Sequence, residues 1–271
     1  MCNVFEFQCV IYTENLQLNI MKKALLILFT GLVSTIVLNA SAQTVQNRQV
    51  AGFSSISSSG SFNLHVKVDG TESLKISGDE SAINDIETVV TNGKLKIGTK
   101  DKLSWRLFNN KKIDIYITAK NLSGLSNSGS GSIQLDGNLT GNAEIKSSGS
   151  GSITAAVNAS ELQTSVSGSG NIISSVIANQ LHAAVSGSGA MTLTGSVKNA
   201  DIKVSGSGNL KAKDLKVEAV DASISGSGNI YVTANKSINA KVSGSGRLVY
   251  TGNATNINSS TSGSGRVVKG K

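Results

Sequence analysis

The tetrapeptide Ser-Gly-Ser-Gly occurs eight times in this chain at a nearly constant interval, and this regularity constrains the fold more than any other feature. The intervals between successive copies are 20, 19, 19, 19, 20, 18 and 19 residues. A period this steady indicates a repeat architecture in which similar units stack on one another. The eight copies begin at Ser128, Ser148, Ser167, Ser186, Ser205, Ser225, Ser243 and Ser262.

The residues that flank the tetrapeptide distinguish a folded repeat from a flexible Gly/Ser linker, because linkers carry no regular apolar pattern. An aliphatic residue stands immediately before the tetrapeptide in five copies, and an apolar residue stands two positions after it in all eight. Farther out, apolar and polar residues alternate with the period of two that is typical of strands. Around Ser205, this alternation predicts that Val204, Gly206, Gly208 and Leu210 face inward and that the serines face outward.

The repeat length selects among the possible stacked folds. About 19 residues are too few for a βαβ unit, which needs roughly 30 residues. They suit one coil of a β-helix, whose strands pair with their counterparts about 4.8 Å above and below. We therefore predict an all-β parallel β-helix over residues 123–271, with a β-rich capping region over residues 43–122 that lacks the repeat. Within that cap, Asn92-Gly93 between two strand patterns predicts a type I′ hairpin.

The beginning of the chain has the pattern of an export signal. A basic start at Met21, an apolar run over residues 24–38 and an Ala-Ser-Ala site ending at Ala42 are typical of a secretory signal peptide. A transmembrane anchor is the alternative, but about 15 apolar residues fall short of the 18 or more that such a helix needs. We expect residues 21–42 to be cleaved, no transmembrane segment to remain, and residues 1–20 to be a mis-annotated extension upstream of the true start.

Composition limits the chemistry of the predicted mature chain, which begins at Gln43. Both cysteines, Cys2 and Cys9, precede that residue, so disulfides, thiolate metal sites and a cysteine nucleophile are excluded. The formal net charge of +8 is compatible with anionic partners, but the lysines are dispersed and also fit a solubilising surface. We expect a periplasmic, outer-membrane-associated or secreted protein. Nucleic acid is not an expected partner of an exported chain with 4% aromatic residues.

Three segments of the capping region, together with the Ser-Gly-Ser-Gly coils, resemble a known family. They are VAGFSSI over residues 50–56, LKISGDE over residues 74–80 and NGKLKI over residues 92–97. The chain resembles the head GIN domain family of auto-transporter adhesins, which is common in Bacteroidetes, and the resemblance covers nearly all of residues 43–271. It implies a right-handed single-stranded β-helix and an envelope or secreted location. It brings no established activity and no catalytic residues.

The sequence does not predict an enzyme, a metal site or a cofactor. His65 and His182 each stand alone in strand-like patterns, and no serine has an adjacent histidine to activate it. A polysaccharide lyase or hydrolase on a β-helix remains the alternative, and it would require carboxylates that converge in one groove. The acidic residues of the array are scattered along the sequence, at Asp136, Glu144, Glu161, Asp201, Asp214, Glu218 and Asp221.

Two features are candidate binding surfaces. The first is a pair of outward serine columns, which could form hydrogen bonds with a glycan or an envelope protein. Their central members are Ser167, Ser169, Ser186, Ser188, Ser205, Ser207, Ser225 and Ser227. The second is the segment around the only tryptophan, where Trp105 and Arg106, with Lys111 and Lys112, could stack on a sugar or hold an acidic group. We therefore predict an adhesin-like or structural role with possible glycan contact, and the sequence leaves the oligomeric state open.

Overall fold

The structure is a computed structural model that describes residues 43–100 and 112–270. It is nearly all β and confirms the predicted β-solenoid, with about eight turns spaced about 19 residues apart. Residues 43–271 form one compact unit. A single five-residue helix, α1 (Glu80–Asn84), occurs in the described ranges, and the Asp79 side chain caps its N-terminus.

The described residues contain nineteen strands, twelve in the N-terminal part and seven in the C-terminal part. The shorter strands of the N-terminal part are β1 (Thr44–Arg48), β2 (Ser55–Ser58), β3 (Asn63–Val68), β4 (Ser73–Gly78), β5 (Ile86–Thr91), β6 (Lys94–Thr99), β7 (Asp114–Ala119), β8 (Gly124–Asn127), β9 (Ser132–Leu139), β10 (Asn142–Ser147), β11 (Ser152–Asn158) and β12 (Glu161–Gly168). The remaining strands are β13 (Asn171–Gly187), β14 (Ala190–Gly206), β15 (Asn209–Gly226), β16 (Asn229–Gly244), β17 (Arg247–Thr251), β18 (Asn256–Ser262) and β19 (Arg266–Lys269).

Parallel strands form two ladders, which we call the upstream wall and the downstream wall. The upstream wall consists of the cap strands β6 and β2 and the strands that lead into the Ser-Gly-Ser-Gly corners, in the order β6, β2, β8, β10, β12, the second halves of β13 to β16, and β18. The downstream wall consists of the cap strands β7 and β3 and the strands that leave those corners, in the order β7, β3, β9, β11, the first halves of β13 to β16, β17 and β19. Each coil therefore contributes one strand to each wall.

The aliphatic residues predicted to lie inside do so in columns along the stack, except Ile257 in the last coil, which is exposed. On the downstream wall, Ile153 pairs with Ile172, which pairs with Met191, and Met191 pairs with Leu210. All four are buried, as is the upstream column through Val204. The tetrapeptide recurs because each copy lies above the previous one, with one continuous hydrophobic core between the walls.

The corner itself departs from the predicted alternation. Ser205 and Ser207 are exposed and Gly208 is buried, as expected, but Gly206 is exposed and has a φ of 104°. A positive φ redirects the chain, so the period of two does not continue through the corner. The prediction that both glycines face inward is therefore wrong for the first one, and the second is confined by its neighbours: a Cβ on Gly208 would lie 2.5 Å from Val185 Cγ1.

The capping region contains a coil that the sequence reading missed. Ser58 pairs with Asn127 and Asn63 pairs with Ser132, so the segment 59–62, Ser-Gly-Ser-Phe, lies level with a corner of the repeat. Phe62 occupies the position of the second glycine. The segment 69–122 separates this corner from the next one in sequence and hides the period. The expectation that residues 43–122 lack the repeat is therefore wrong at this corner.

Antiparallel strands close the N-terminal end of both walls. On the upstream wall, β5 pairs antiparallel with β6, and on the downstream wall β4 pairs antiparallel with β7 and carries β1 on its other edge. The predicted hairpin between β5 and β6 is present, with φ values of 51° at Asn92 and 72° at Gly93. These strands cover the parallel ladder at this end, which is the role expected of a cap.

Candidate binding surfaces

The first serine of each later corner forms a straight column on the outside of the solenoid. Ser167 pairs with Ser186, Ser186 with Ser205, and Ser205 with Ser225, each in direct register between neighbouring parallel strands. The column continues to Ser243. All of these residues are exposed, so their hydroxyl groups recur along the solenoid at the strand spacing of about 4.8 Å.

A second serine column runs beside the first, at the turn of each corner. Its members are Ser169, Ser188, Ser207 and Ser227, and all four are exposed. Their backbone amides bond to the preceding coil: Ser188 N–H donates to Gly168 O (3.0 Å) and Ser207 N–H to Gly187 O (2.9 Å). The backbone amides are therefore bonded within the ladder, and the exposed serines of both columns present their hydroxyl groups to solvent.

Most of the loop predicted as the second surface lies outside the described residues. Trp105, Arg106 and Lys111 fall there, and Lys112 is the member that the structure describes. Lys112 is exposed, and its Nζ lies 3.3 Å from Asp114 Oδ2 at the start of β7. This contact places Lys112 beside a polar cluster that the sequence reading did not predict.

That cluster lies on the outer face of the downstream wall, where the cap strands meet the first coil. Five outward residues from five strands stand in one row: Asn47, Lys75, Tyr116, His65 and Gln134. They line a groove of about 570 Å³, which we call the cap groove. Its volume falls within the range of about 300–1,000 Å³ that is usual for small-molecule sites.

The side chains at the centre of the cap groove pack against one another. The His65 and Tyr116 rings are stacked, with centroids 4.9 Å apart and an interplanar angle of 18°. Lys75 Nζ lies 4.8 Å from the centroid of the Tyr116 ring, a cation–π distance. No pattern in the sequence indicates this grouping, because the three residues come from strands that are adjacent only through the cap topology.

The buried carboxylate of Asp114 contacts His65, a member of this row. Asp114 is buried, and its Oδ1 lies 3.3 Å from His65 Nε2 and 3.5 Å from Asn63 Nδ2, which donates to it. Ser132 Oγ in turn donates to Asn63 Oδ1 at 3.0 Å. Burial acts to raise the pKa of Asp114, but hydrogen bonds from His65, Lys112 and Asn63 outweigh it and lower that pKa below its usual value.

The structure brings some of the scattered acids together on the upstream wall. His182 Nε2 lies 3.6 Å from Glu161 Oε1, and His182 Nδ1 lies 3.7 Å from Asp201 Oδ2. Lys203 Nζ is 2.8 Å from the same Asp201 oxygen. These side chains lie on the outward face of the wall. In the described ranges, no group of three or more His, Cys, Asp or Glu side chains could hold a metal ion.

Most of the chain matches a known protein family. Residues 52–254 match the family described as "Putative auto-transporter adhesin, head GIN domain". The chain belongs to the head GIN domain family. No match is found among curated proteins.

Solved structures of similar proteins share the fold. A "putative lipid binding protein" from Parabacteroides distasonis is 29% identical, with a TM-score of 0.77 over 86% of this chain and 98% of that one. A "putative adhesin" from Bacteroides fragilis is 26% identical, with a TM-score of 0.64 over 85% and 98% of the two chains. A third, a "putative adhesin" from Parabacteroides merdae, is 20% identical with a TM-score of 0.78, and this likeness concerns the fold alone.

Membership in the family supports an adhesin-like role. The family and its similar structures are described as adhesins or lipid-binding proteins rather than as enzymes. Within the described residues, no helix is both long and apolar enough to cross a membrane.

Proposed function

We propose that the protein is exported across the inner membrane and acts in the cell envelope, or outside the cell, as an adhesin-like module that contacts glycans. Its signal peptide ends at Ala42 and is removed. The compact unit begins at Gln43, the residue that follows this site. The adhesin family and the surface location that it suggests support the same assignment.

The pair of serine columns is the observation that supports glycan contact. Hydroxyl groups both donate and accept hydrogen bonds, as sugar hydroxyl groups do. In the column through Ser186 they recur in register from coil to coil, and in the column through Ser188 the backbone amides bond to the preceding coil at the same interval. The serines of both columns are exposed. A regular row of such groups offers a polymeric glycan many weak contacts at once, so affinity accumulates along the row.

The test is retention of purified residues 43–271 on a glycan array. Replacing Ser186, Ser205 and Ser225 together by Lys should abolish retention on neutral glycans of the array, because long side chains would cover the neighbouring hydroxyl groups. The matched control puts the same three positive charges on other outward serines of the walls, as Ser165→Lys, Ser175→Lys and Ser223→Lys. Equal retention by the two variants, with unchanged melting temperatures, would contradict the assignment to the columns.

The fractionation of cells that express the full chain tests export separately. We expect the mature chain in the periplasm, the outer membrane or the medium, with Gln43 as its N-terminal residue by mass spectrometry. A chain that retains residues 21–42 in the inner-membrane fraction would show that the segment is an anchor.

A further inference from the structure

One lysine ammonium group in the lining of the cap groove has no acidic partner within the described ranges. Lys67 and Lys75 contribute ammonium groups to its lining, and Asp136 contributes the single carboxylate of that lining. Lys67 and Asp136 stand opposite each other on β3 and β9, so their charges offset locally. Among the residues that the structure describes, Lys75 has no acidic partner and lies over the Tyr116 ring. The groove therefore attracts a single negative group to Lys75.

The groups around Lys75 are held in place before any ligand arrives. Tyr116 packs against His65, and His65 is held by the buried Asp114 carboxylate. Asp114 is itself bonded by Asn63, which leaves few alternative arrangements for the row. A site that is already ordered loses little conformational entropy when a ligand binds.

Neutral hydrogen-bonding groups surround the cation on several strands. Asn47 and Gln134 present side-chain amides at the two ends of the row, and Ser73 and Thr118 present hydroxyl groups beside it. The two hydroxyl groups lie 2.9 Å apart, and Thr118 Oγ1 also accepts a hydrogen bond from Thr71 Oγ1 at 3.2 Å. A hydroxyl group can donate one hydrogen bond and accept two, so both keep a further site for a ligand. This set suits a ligand that carries several hydroxyl groups as well as one anionic group.

We propose that the cap groove binds a carboxylated sugar residue of an acidic glycan, with the sugar carboxylate at Lys75 and the sugar hydroxyl groups at the surrounding amides and hydroxyls. This inference rests on the proposed glycan contact and names a second, discrete site for it. The groove recognises the acidic residue of a glycan, whereas the serine columns contact the polymer along its length.

The test uses trigalacturonic acid as the probe and its fully methyl-esterified form as the neutral control. Titration of residues 43–271, followed by the side-chain NMR signals of His65 and Tyr116, should show saturable shifts with the acid. The ester should bind at least about tenfold more weakly, since a charge-assisted hydrogen bond is lost. Lys75→Gln should weaken binding of the acid by about the same factor.

The downstream wall offers a matched control farther along the same row. Lys211 is an outward lysine that stands opposite Tyr231 on the next strand, as Lys75 stands opposite Tyr116. It lies outside the cap groove. Lys211→Gln should leave the affinity for trigalacturonic acid within about twofold of the unchanged protein, because a surface charge acts weakly at this distance.

Four outcomes would overturn the proposal: no saturable shifts, equal binding of acid and ester, no effect of Lys75→Gln, or an equal loss in Lys211→Gln. Lys75-dependent binding to phosphatidylglycerol vesicles, without binding of trigalacturonic acid, would also overturn it in favour of a lipid headgroup. The variant with lysines at Ser186, Ser205 and Ser225 separates this site from the serine columns. If it loses glycan retention while trigalacturonic acid never binds, the proposed function stands and the groove assignment fails.

Discussion

Corners close to the cap and corners farther along the solenoid carry the same tetrapeptide in two backbone conformations. In the six distal corners, which begin at Ser167 to Ser262, the first glycine has a φ between 94° and 120°. In the two cap-side corners, which begin at Ser128 and Ser148, Gly129 and Gly149 are not in the positive-φ region. Identical local sequence therefore does not determine the conformation of the corner.

A buried polar residue before the tetrapeptide distinguishes the two cap-side corners. The preceding residue is the buried Asn127 or Ser147 in those corners, whereas it is a buried aliphatic residue in the five distal corners from Val166 to Val242 and the exposed Thr261 in the last one. Gly129 N–H donates to Asn127 Oδ1 at 3.1 Å, and Asn127 Nδ2 donates to Gly131 O at 2.7 Å. The amide side chain thus bridges its own corner from inside, and an aliphatic side chain has no groups to do so.

Adding a methyl group to the second glycine should produce the largest effect, and it should be similar in both regions. A Cβ on Gly208 would lie 2.5 Å from Val185 Cγ1, and one on Gly151 would lie 2.1 Å from Gly131 O. We expect Gly208→Ala and Gly151→Ala each to lower the free energy of unfolding by about 3 kcal/mol in denaturant titrations. Gly70→Ala is the control, because it has a positive φ but open space, and should cost about 1 kcal/mol. A smaller loss at Gly208 than at Gly70 would refute the steric explanation.

Exchanging the preceding residue between a cap-side corner and a distal corner should show whether each kind of corner depends on the residue before its tetrapeptide. Asn127→Val removes both hydrogen bonds to the cap-side corner, and Val204→Asn buries an amide in a distal corner that has no groups placed for it. We expect each to lower the free energy of unfolding by about 2 kcal/mol. Asn127→Ser, which copies Ser147 of the next coil, should cost less than half as much. If Val204→Asn is neutral, the preceding residue does not determine the corner type.

The buried carboxylate of Asp114 in the cap should make stability depend on pH. The pKa of Asp114 is lowered in the folded protein, so its contribution to stability is complete above the unfolded-state pKa of about 3.9 and is lost as the pH falls further. We expect Asp114→Asn to lower the free energy of unfolding by about 1.5 kcal/mol at pH 7. This difference should shrink below about pH 4. Asp221→Asn, at an exposed position, is the control, and a difference that is constant from pH 7 to pH 3 would contradict the assignment.

The smallest effect is expected where the two regions meet. Thr164 is buried between Ile145 and Ala183, and its Oγ1 has no hydrogen-bond partner among the described residues. Thr164→Val keeps the shape of the side chain and removes the unsatisfied hydroxyl group. It should raise the free energy of unfolding by about 1 kcal/mol, measured by thermal and denaturant unfolding. A destabilisation would show that this hydroxyl is bonded, for example to a buried water molecule.

The sequence predicted the solenoid because its information is local and repeated. The interval of about 19 residues, the alternating aliphatic residues and the Asn92-Gly93 turn each specify structure within one coil, and stacking repeats it. The outward serine columns follow from the same period. The missed corner at residues 59–62 could have been found from its Ser-Gly-Ser-Phe pattern, although the intervening segment removes it from the period.

Only the tertiary structure determined the features that bring together residues distant in sequence. The cap groove assembles Asn47, His65, Lys75, Tyr116 and Gln134, whose order across the wall differs from their order in the chain. Antiparallel pairing at the cap determines that order, and no local pattern encodes which strands become neighbours. The cap-side conformation of the first glycine likewise goes with a polar side chain buried beneath the corner, as Asn127 is at the first one. A repeat specifies its own coil, but contacts between dissimilar strands exist only once the chain has folded.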